Sequence, residues 1–162
     1  MITGILFPAD EEAPISKVEV DAENVEVMQG IVEGKFEAHN LDSPPASIFS
    51  NDGAMLWSLP FNLRATVLLW QHAKELRGNV YISGDALLTG MPDRRGITKS
   101  VPQELVKLLL ETETYHVEFL HRPDGPWQTS KTTFTDWLEA YNYAIVQEET
   151  FATISGARVV GA

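Results

Sequence analysis

The four histidines are the residues of this chain best suited to acid–base or metal chemistry, but their spacing favours neither role. No two of them lie four residues apart, the helical spacing that directs two ring nitrogens to one metal ion. His116 and His121 lie five apart in a segment that reads as one strand, so they would project from opposite faces. His72 stands alone in a helical segment. We therefore expect structural or solvent-facing histidines.

Other reactive groups also lack the arrangements that chemistry needs. The chain contains no Gly-x-Ser-x-Gly nucleophile turn and no cluster of glycines that would cradle a phosphate at a helix start. It has no cysteine, which excludes disulfides, thiolate catalysis and zinc–thiolate sites. We expect no catalytic residue, no metal and no cofactor, so the protein is interpreted as a non-enzyme.

Acidic side chains are concentrated in the front part of the sequence. Residues 1–60 contain eleven acids and two bases, whereas residues 61–162 contain twelve acids and ten bases, within a total net charge of -11. The run Asp10-Glu11-Glu12 is interpreted as solvated rather than as a cation site. Glu19, Asp21, Glu23 and Glu26 are expected on one exposed edge, where they would attract a basic partner or serve only to solubilise the protein.

Positive charge is clustered at one place, where Arg94, Arg95 and Lys99 occupy a segment that reads as exposed. These side chains could contact phosphate, although a net-acidic protein is repelled by nucleic acid. C-terminal aromatic residues could serve as stacking platforms for bases, but their helical spacing first predicts a small core. They are Trp127, Phe134, Trp137, Tyr141 and Tyr143.

The pattern of apolar residues and breakers predicts an α+β fold with a mixed or antiparallel sheet and packed helices. Strands are predicted at 2–7, 15–20, 35–39, 47–50, 54–59, 79–83, 115–121 and 127–132. The first helix begins at Asp21 and stops at Gly34, and the second runs from Asn62 to about Arg77. Ser100 to Gln103 forms a capping box for the third, and Thr133 or Thr135 caps the last.

This order predicts two parts joined by a connector. Residues 1–90 would form an acidic α+β domain, residues 91–100 the connector, and residues 101–162 a smaller C-terminal α-β-β-α unit whose tail is frayed from Ser155. The first apolar run is too short for a signal peptide, and no run approaches a membrane span. We expect a soluble, cytoplasmic protein that does not meet a membrane.

Four segments in order resemble the domain of unknown function 3846 family over about residues 1–90. They are Met28-Gln-Gly-Ile-Val-Glu-Gly34, Asn51-Asp-Gly53, Leu59-Pro-Phe-Asn-Leu-Arg-Ala-Thr66 and Gly78-Asn-Val-Tyr-Ile-Ser-Gly84. The chain departs from the family's pattern where the second glycine of a helix-ending pair is replaced by Glu33. The resemblance implies an origin in a bacteriophage or mobile element and carries no assigned activity.

Within that resemblance, Asn62 and Arg64 have a physical explanation as a structural motif. Asn62 can accept the free N–H groups of the helix that follows it, and Arg64 can bind a carboxylate or a backbone carbonyl. The preferred hypothesis is a phage-encoded, non-enzymatic protein that binds a host protein in the infected cell, as a host-takeover or anti-defence factor. The alternative is a nucleic-acid accessory module that uses Arg94, Arg95, Lys99 and the C-terminal aromatic residues.

Overall fold

The fold comes from a computed structural model of the full chain, which describes residues 1–53 and 58–162. Its strands are β1 (Ile2–Phe7), β2 (Ser16–Val20), β3 (Phe36–Leu41), β4 (Ala46–Asn51), β5 (Ala86–Gly90), β6 (Tyr115–Leu120), β7 (Trp127–Phe134) and β8 (Gly156–Gly161). Its α-helices are α1 (Val25–Val32), α2 (Leu63–His72), α3 (Gln103–Val106) and α4 (Trp137–Thr150). A 3-10 turn covers Lys74–Leu76 and a π-helical turn Lys107–Glu111. All strand pairs are antiparallel, so the predicted α+β class is confirmed.

The chain divides into two compact units, Met1–Val106 and Lys107–Ala162. The first unit contains a five-stranded sheet in the order β2-β1-β5-β4-β3. Two hairpins, β1–β2 and β3–β4, lie on either side of β5, which pairs with the inner strand of each. All five residues of β5 are buried, as expected for the central strand of a sheet with two covered faces.

Alternation along the strands gives this sheet two apolar faces. On one face Val20, Leu87 and Met28 of α1 form a buried cluster, and Phe36 and Phe49 pack edge to face beside it at 5.7 Å between ring centroids. The other face carries Ile5, Leu88 and Ile48, which are paired across the central strands and have no exposed surface. Backbone hydrogen bonds join the start of α2 to the segment that precedes β5, from Asn62 N to Ile82 O, and the end of α2 to the residue after β3, from Asp42 N to His72 O.

Helix α1 begins and ends at residues other than those predicted. Its N-cap is Asn24, whose side chain accepts hydrogen bonds from Glu26 N and Val27 N, whereas Asp21 closes the preceding turn. Its left-handed stop is Glu33 (φ 62°, ψ 37°) and not Gly34. Gly34 N then donates to Gln29 O, which completes a six-to-one helix ending.

Hydrogen bonds from the Asn51 side chain stabilise the end of α1. Its amide nitrogen donates to the carbonyls of Val32 and Glu33 at 3.0 and 3.1 Å, and its oxygen accepts from Gly53 N. A β-carbon at Gly34 would meet that amide at 2.8 Å, so glycine is required there by space as well as by its φ of 153°.

Two strand predictions in the first unit have different outcomes. The predicted return strand from Ala54 to Leu59 includes residues 54–57, which lie outside the described residues. Within the described residues, β4 pairs with β3 on one side and with β5 on the other. The predicted strand at 79–83 is wrong, because α2 side chains bind its backbone: Trp70 Nε1 donates to Val80 O, and Thr66 Oγ1 accepts from Ile82 N. The strand lies a few residues later, as β5.

The second helix is shorter than predicted. Asn62 is its N-cap as expected, but the helix ends at His72 and not at Arg77. Ala73 leaves helical geometry (φ −142°, ψ 76°), and the Arg77 side chain folds back to donate to the carbonyl oxygen of Trp70. That hydrogen bond satisfies one of the carbonyls that the end of a helix leaves unpaired.

Residues 91–100, predicted as a connector, are bonded into the first unit. Gly90 N donates to Lys99 O, Thr3 N to Ser100 Oγ, and Val101 N to Thr3 O. Because Ser100 binds β1, it does not act as the predicted cap of α3. The observed division follows Val106, later than the predicted end of the first domain.

The second unit consists of a three-stranded sheet, in the order β7-β6-β8, with α4 packed against it. Tyr115 and Val117 of β6 are buried, as are Ala140, Tyr141 and Ala144 of α4. The N-cap of α4 is Asp136, which accepts from Leu138 N, instead of Thr133 or Thr135. The unit is therefore held by a single helix–sheet core.

The tail that the sequence predicts to be frayed is a strand. All six residues of β8 pair with β6, from Gly156 opposite Leu120 to Gly161 opposite Tyr115. Ser155, the residue before this strand, donates from its N and Oγ to Leu120 O. The predicted α-β-β-α order is corrected by this additional strand.

In the described part of the chain, no helix combines the length and the apolar character that a membrane crossing requires.

Candidate functional site

The acidic segment, by which we mean Glu19, Asp21, Glu23 and Glu26, extends from the edge strand β2 to the first turn of α1. Glu19 lies on β2, the outermost strand of the five-stranded sheet, and Glu26 lies in the first turn of α1. All four residues are exposed. Because Glu19 alternates with Val18 and Val20, which pack towards α1, its side chain projects from the opposite face of the sheet, whereas Glu26 lies on the α1 side.

Local hydrogen bonds orient three of these carboxylates. Glu19 Oε1 accepts from Thr3 Oγ1 at 2.8 Å, and Asp21 Oδ1 accepts from Glu23 N at 3.3 Å. Glu23 Oε1 accepts from Thr98 N at 3.3 Å, so this carboxylate reaches the segment that contains Arg94 and Arg95. Glu26 stands where the positive end of a helix dipole favours a carboxylate.

Residues 1–60 also contain acidic side chains that lie outside this segment. Asp10, Glu11 and Glu12 occupy the turn between β1 and β2, while Glu37 lies on β3, at the opposite edge of the sheet. Across residues 1–53 and 58–162, no three His, Asp or Glu side chains are grouped as a metal site would require. The acidic segment is thus one part of a wider negative surface.

Arg94, Arg95 and Lys99 lie on a turn that a carboxylate organises. A bridge between Pro92 and Thr98 closes the turn, and Asp93 Oδ1 accepts from Arg95 N at 2.8 Å and Ile97 N at 3.0 Å. Lys99 Nζ lies 3.2 Å from Asp93 Oδ2. The hydrogen bond from Ile97 N, helped by Arg95 N and Lys99, lowers the pKa of Asp93 below its ordinary value. Lys99 is therefore paired, while Arg94 and Arg95 are exposed.

Asn62 and Arg64 form a clasp at the start of α2. The buried Asn62 side chain donates to Phe7 O at 2.8 Å and Gly84 O at 2.9 Å, and accepts from Ala65 N at 3.1 Å. Arg64 Nη2 donates to Pro8 O at 2.8 Å and Asp10 O at 3.1 Å. Arg64 was predicted to bind a carboxylate or a backbone carbonyl, and the structure shows it bound to two backbone carbonyls. The clasp joins the end of β1, the start of α2 and the approach to β5.

The C-terminal aromatic residues mostly form the core of the second unit. Trp137 and Tyr141 are buried and meet edge to face at 5.3 Å, and burial strongly raises the pKa of Tyr141. Phe134 packs against Tyr143 at 5.2 Å. Trp127 is 36% exposed, but the Arg158 guanidinium lies 4.1 Å from the centre of its ring. Their helical spacing correctly indicated packing.

His72 is the histidine whose surroundings change its chemistry most. Its Nδ1 lies 2.9 Å from Ser43 O, and the residue is half-buried at the end of α2. Burial lowers the pKa of His72 below its ordinary value, Lys74 lowers it further, and the hydrogen bond to Ser43 opposes both. His72 is therefore a neutral structural group near pH 7.

Sequence reasoning missed an exposed aromatic surface next to the clasp, formed by Phe61, Trp70 and Tyr81. Phe61 is 48% exposed and Tyr81 58% exposed. Tyr81 lies 5.2 Å from Trp70 and 6.4 Å from Phe61 between ring centroids. The available signal was the alternation of residues in Val80-Tyr81-Ile82, in which Ile82 is buried and Tyr81 is exposed.

Comparison with known families gives a match that covers the first unit and the beginning of the second. The sequence profile named Domain of unknown function (DUF3846) matches residues 2–114. The chain belongs to the DUF3846 family. The match extends beyond the four segments that suggested the resemblance and includes the predicted connector, which agrees with the hydrogen bonds of residues 91–100 to β1 and β5. Comparisons with curated proteins and with solved structures gave no match.

Proposed function

We propose that this DUF3846 protein is a non-enzymatic binding protein of a phage or mobile element, which binds a host protein through the acidic segment. The observation that carries the proposal is the exposure of Glu19, Asp21, Glu23 and Glu26, which extend from the edge strand β2 to the first turn of α1. Charged groups placed in this way accelerate association with an oppositely charged surface and select for it. The partner is accordingly a host protein with a basic surface, encountered in the cytoplasm.

Two features of this edge support recognition of a protein. Within the described residues, the outer side of β2 has no strand paired to it, so its backbone groups are open to a partner. In addition, the contact of Glu23 with Thr98 N places a turn with two exposed arginines beside the acids. A surface of mixed charge fits a folded protein better than a uniformly charged polymer.

The non-enzymatic part of the proposal rests on what the polar residues do. The clasp residues use their side chains on backbone atoms, and Thr66 is bonded to Ile82. Each of these groups thus has a structural task that accounts for its position. Catalysis would require polar groups directed at a reacting molecule.

The test is affinity capture from host lysate with a variant that lacks the four negative charges, E19Q/D21N/E23Q/E26Q. A matched control, E104Q/E111Q/E113Q/E139Q, removes the same charge from exposed positions elsewhere. We expect a specific partner to be retained by the wild type and the control and lost by the first variant. Equal loss from both variants would show that net charge alone is responsible, and full retention by both would assign binding to another surface.

The nucleic-acid alternative receives less support from the geometry, because Trp137 and Tyr141 are buried and Lys99 is paired with Asp93. A mobility shift with single- and double-stranded DNA at about 50 mM salt, where phosphate contacts are strong, tests it directly. A shift that R94Q/R95Q abolishes would replace the preferred function with this one.

A further inference from the structure

We propose that the aromatic surface of Phe61, Trp70 and Tyr81, together with the acidic turn Asp10-Glu11-Glu12, is a second docking surface that takes an arginine-rich segment of a partner protein. It lies apart from the acidic segment along the chain and rests on different observations. Contiguous apolar patches on a protein surface often mark interaction sites.

The rings are held rigidly, which favours binding over accidental exposure. Trp70 Nε1 donates to Val80 O at 2.7 Å, next to Tyr81, and Tyr81 meets the Trp70 ring edge to face at an interplanar angle of 74°. A backbone bridge joins Phe61 to Ser83 on the other side of Tyr81. Stacking of a partner on these rings therefore costs the protein little side-chain conformational entropy.

The clasp fixes an acidic turn against the start of α2, which Phe61 directly precedes. Arg64, three residues after Phe61, donates to the carbonyls of Pro8 and Asp10 and so holds the turn against the start of α2. The side chains of Asp10, Glu11 and Glu12 are exposed. An apolar centre with a charged rim is the usual arrangement of a protein interface.

Arginine is the side chain that satisfies both parts of this surface. Its guanidinium stacks on an aromatic face and at the same time pairs with a carboxylate, whereas lysine does so less well. The protein's own Arg77 lies at the opposite end, where it donates to the carbonyl oxygen of Trp70. We therefore place the arginines of the partner at the end formed by Phe61 and Tyr81.

The test measures binding of the full-length protein to a short fluorescein-labelled peptide of alternating arginine and glycine, at about 150 mM salt. Replacing both exposed rings, F61S/Y81S, should weaken binding about tenfold, since each exposed cation–π contact contributes modestly. The control V146S/F151S removes similarly exposed apolar side chains from the second unit and should bind as the wild type does. The variant D10N/E11Q/E12Q should also weaken binding.

Further variants separate stacking from other causes. F61L/Y81L keeps the apolar bulk without aromatic faces, and we expect it to bind as weakly as F61S/Y81S; binding equal to the wild type would overturn the proposal. A lysine–glycine peptide should bind more weakly than the arginine peptide, and equal affinity would contradict it. E19Q/D21N/E23Q/E26Q should leave peptide binding within about twofold, which separates failure here from failure of the proposed function.

Other occupants of the surface would give different results. Self-association of the wild type that F61S/Y81S abolishes, seen by sedimentation, would assign the rings to a second copy of the chain. Tighter binding of a single-stranded oligonucleotide than of the arginine peptide would assign them to base stacking. Either result would overturn the proposal.

Discussion

Glu33 holds a left-handed backbone conformation that glycine adopts more readily than any other residue. Its φ of 62° lies in the left-handed region, where a side chain costs about 1 kcal/mol that glycine does not incur. Asn51 and the helix-ending hydrogen bonds keep it there. The residue is exposed, so its carboxylate contributes no packing that would offset this cost.

The substitution Glu33→Gly should therefore raise the free energy of unfolding by about 1 kcal/mol, measured by urea denaturation. Glu37→Gly, at an exposed position with extended backbone on β3, is the matched control and should lower it by a similar amount. A loss of stability in Glu33→Gly would mean that the conformation at the helix end is supported by the glutamate itself.

Asn62 contributes three hydrogen bonds from a completely buried position. Asn62→Ala leaves the carbonyls of Phe7 and Gly84 unpaired inside the protein and should cost about 3 kcal/mol or more. Asn62→Asp keeps the cap acceptor and loses the two donors, so we expect it to be no more stable than the alanine variant. Denaturant midpoints check both, and near-wild-type stability of Asn62→Asp would show that capping alone matters.

Burial at His72 makes stability depend on pH. The pKa of this side chain is lowered by folding, so the unfolded chain, with a pKa of about 6.5, binds a proton more readily than the folded chain. The free energy of unfolding should accordingly fall as pH decreases from 7 towards 5. His72→Gln should flatten this dependence, whereas His121→Gln, at an exposed position, should preserve it. An unchanged slope in His72→Gln would exclude His72 as the cause.

At the level of elements, sequence patterns located most strands and helices but misplaced the features that depend on contacts distant in the chain. Asn62 was identifiable as a cap because its role is local. The segment 79–83 was assigned to a strand because Val80-Tyr81-Ile82 has strand composition, yet Trp70 and Thr66 of α2 take its hydrogen bonds. No local pattern reveals a backbone that binds a helix side chain.

Strand β8 shows the same limit. Its small residues suggested a frayed tail, but glycine at each end fits a strand that lies beside Leu120 and Thr112. Deleting residues 156–162 removes all strand pairing on one side of β6. It also removes the buried side chains of Ala157 and Val159 and exposes the residues that pack against them. We expect the second unit to lose its near-ultraviolet circular dichroism and to become sensitive to protease. Resistance equal to that of the full chain would contradict the role of this strand.

On the scale of the whole molecule, each unit has its own sheet and its own helix–sheet core. A fragment of residues 1–114 contains every strand of the five-stranded sheet and the complete family match. It should therefore unfold cooperatively in urea as a separate domain. The fragment 107–162 is short, so we expect it to be much less stable alone. A non-cooperative transition of the first fragment would show that its core depends on the rest of the chain.

The candidate sites were predictable to different extents for a related reason. Charge is visible in any sequence, so Glu19 to Glu26 and Arg94 to Lys99 were recognised, but the pairing of Lys99 with Asp93 was not. The exposure of Phe61 and Tyr81 depends on which side of a non-repetitive segment faces outward. Only the folded backbone determines that orientation.

The position of β5 has a consequence for synthesis of the protein. The ribosome releases both hairpins of the first unit before Ala86–Gly90, the strand that joins them, has left the tunnel. Until then the nascent chain carries two separate ribbons, each with an unpaired inner edge and an uncovered apolar side. Unpaired strand edges and exposed apolar surface make such a chain prone to aggregate. A ribosome that stalls before codon 90 therefore leaves an aggregation-prone product, however stable the finished domain is.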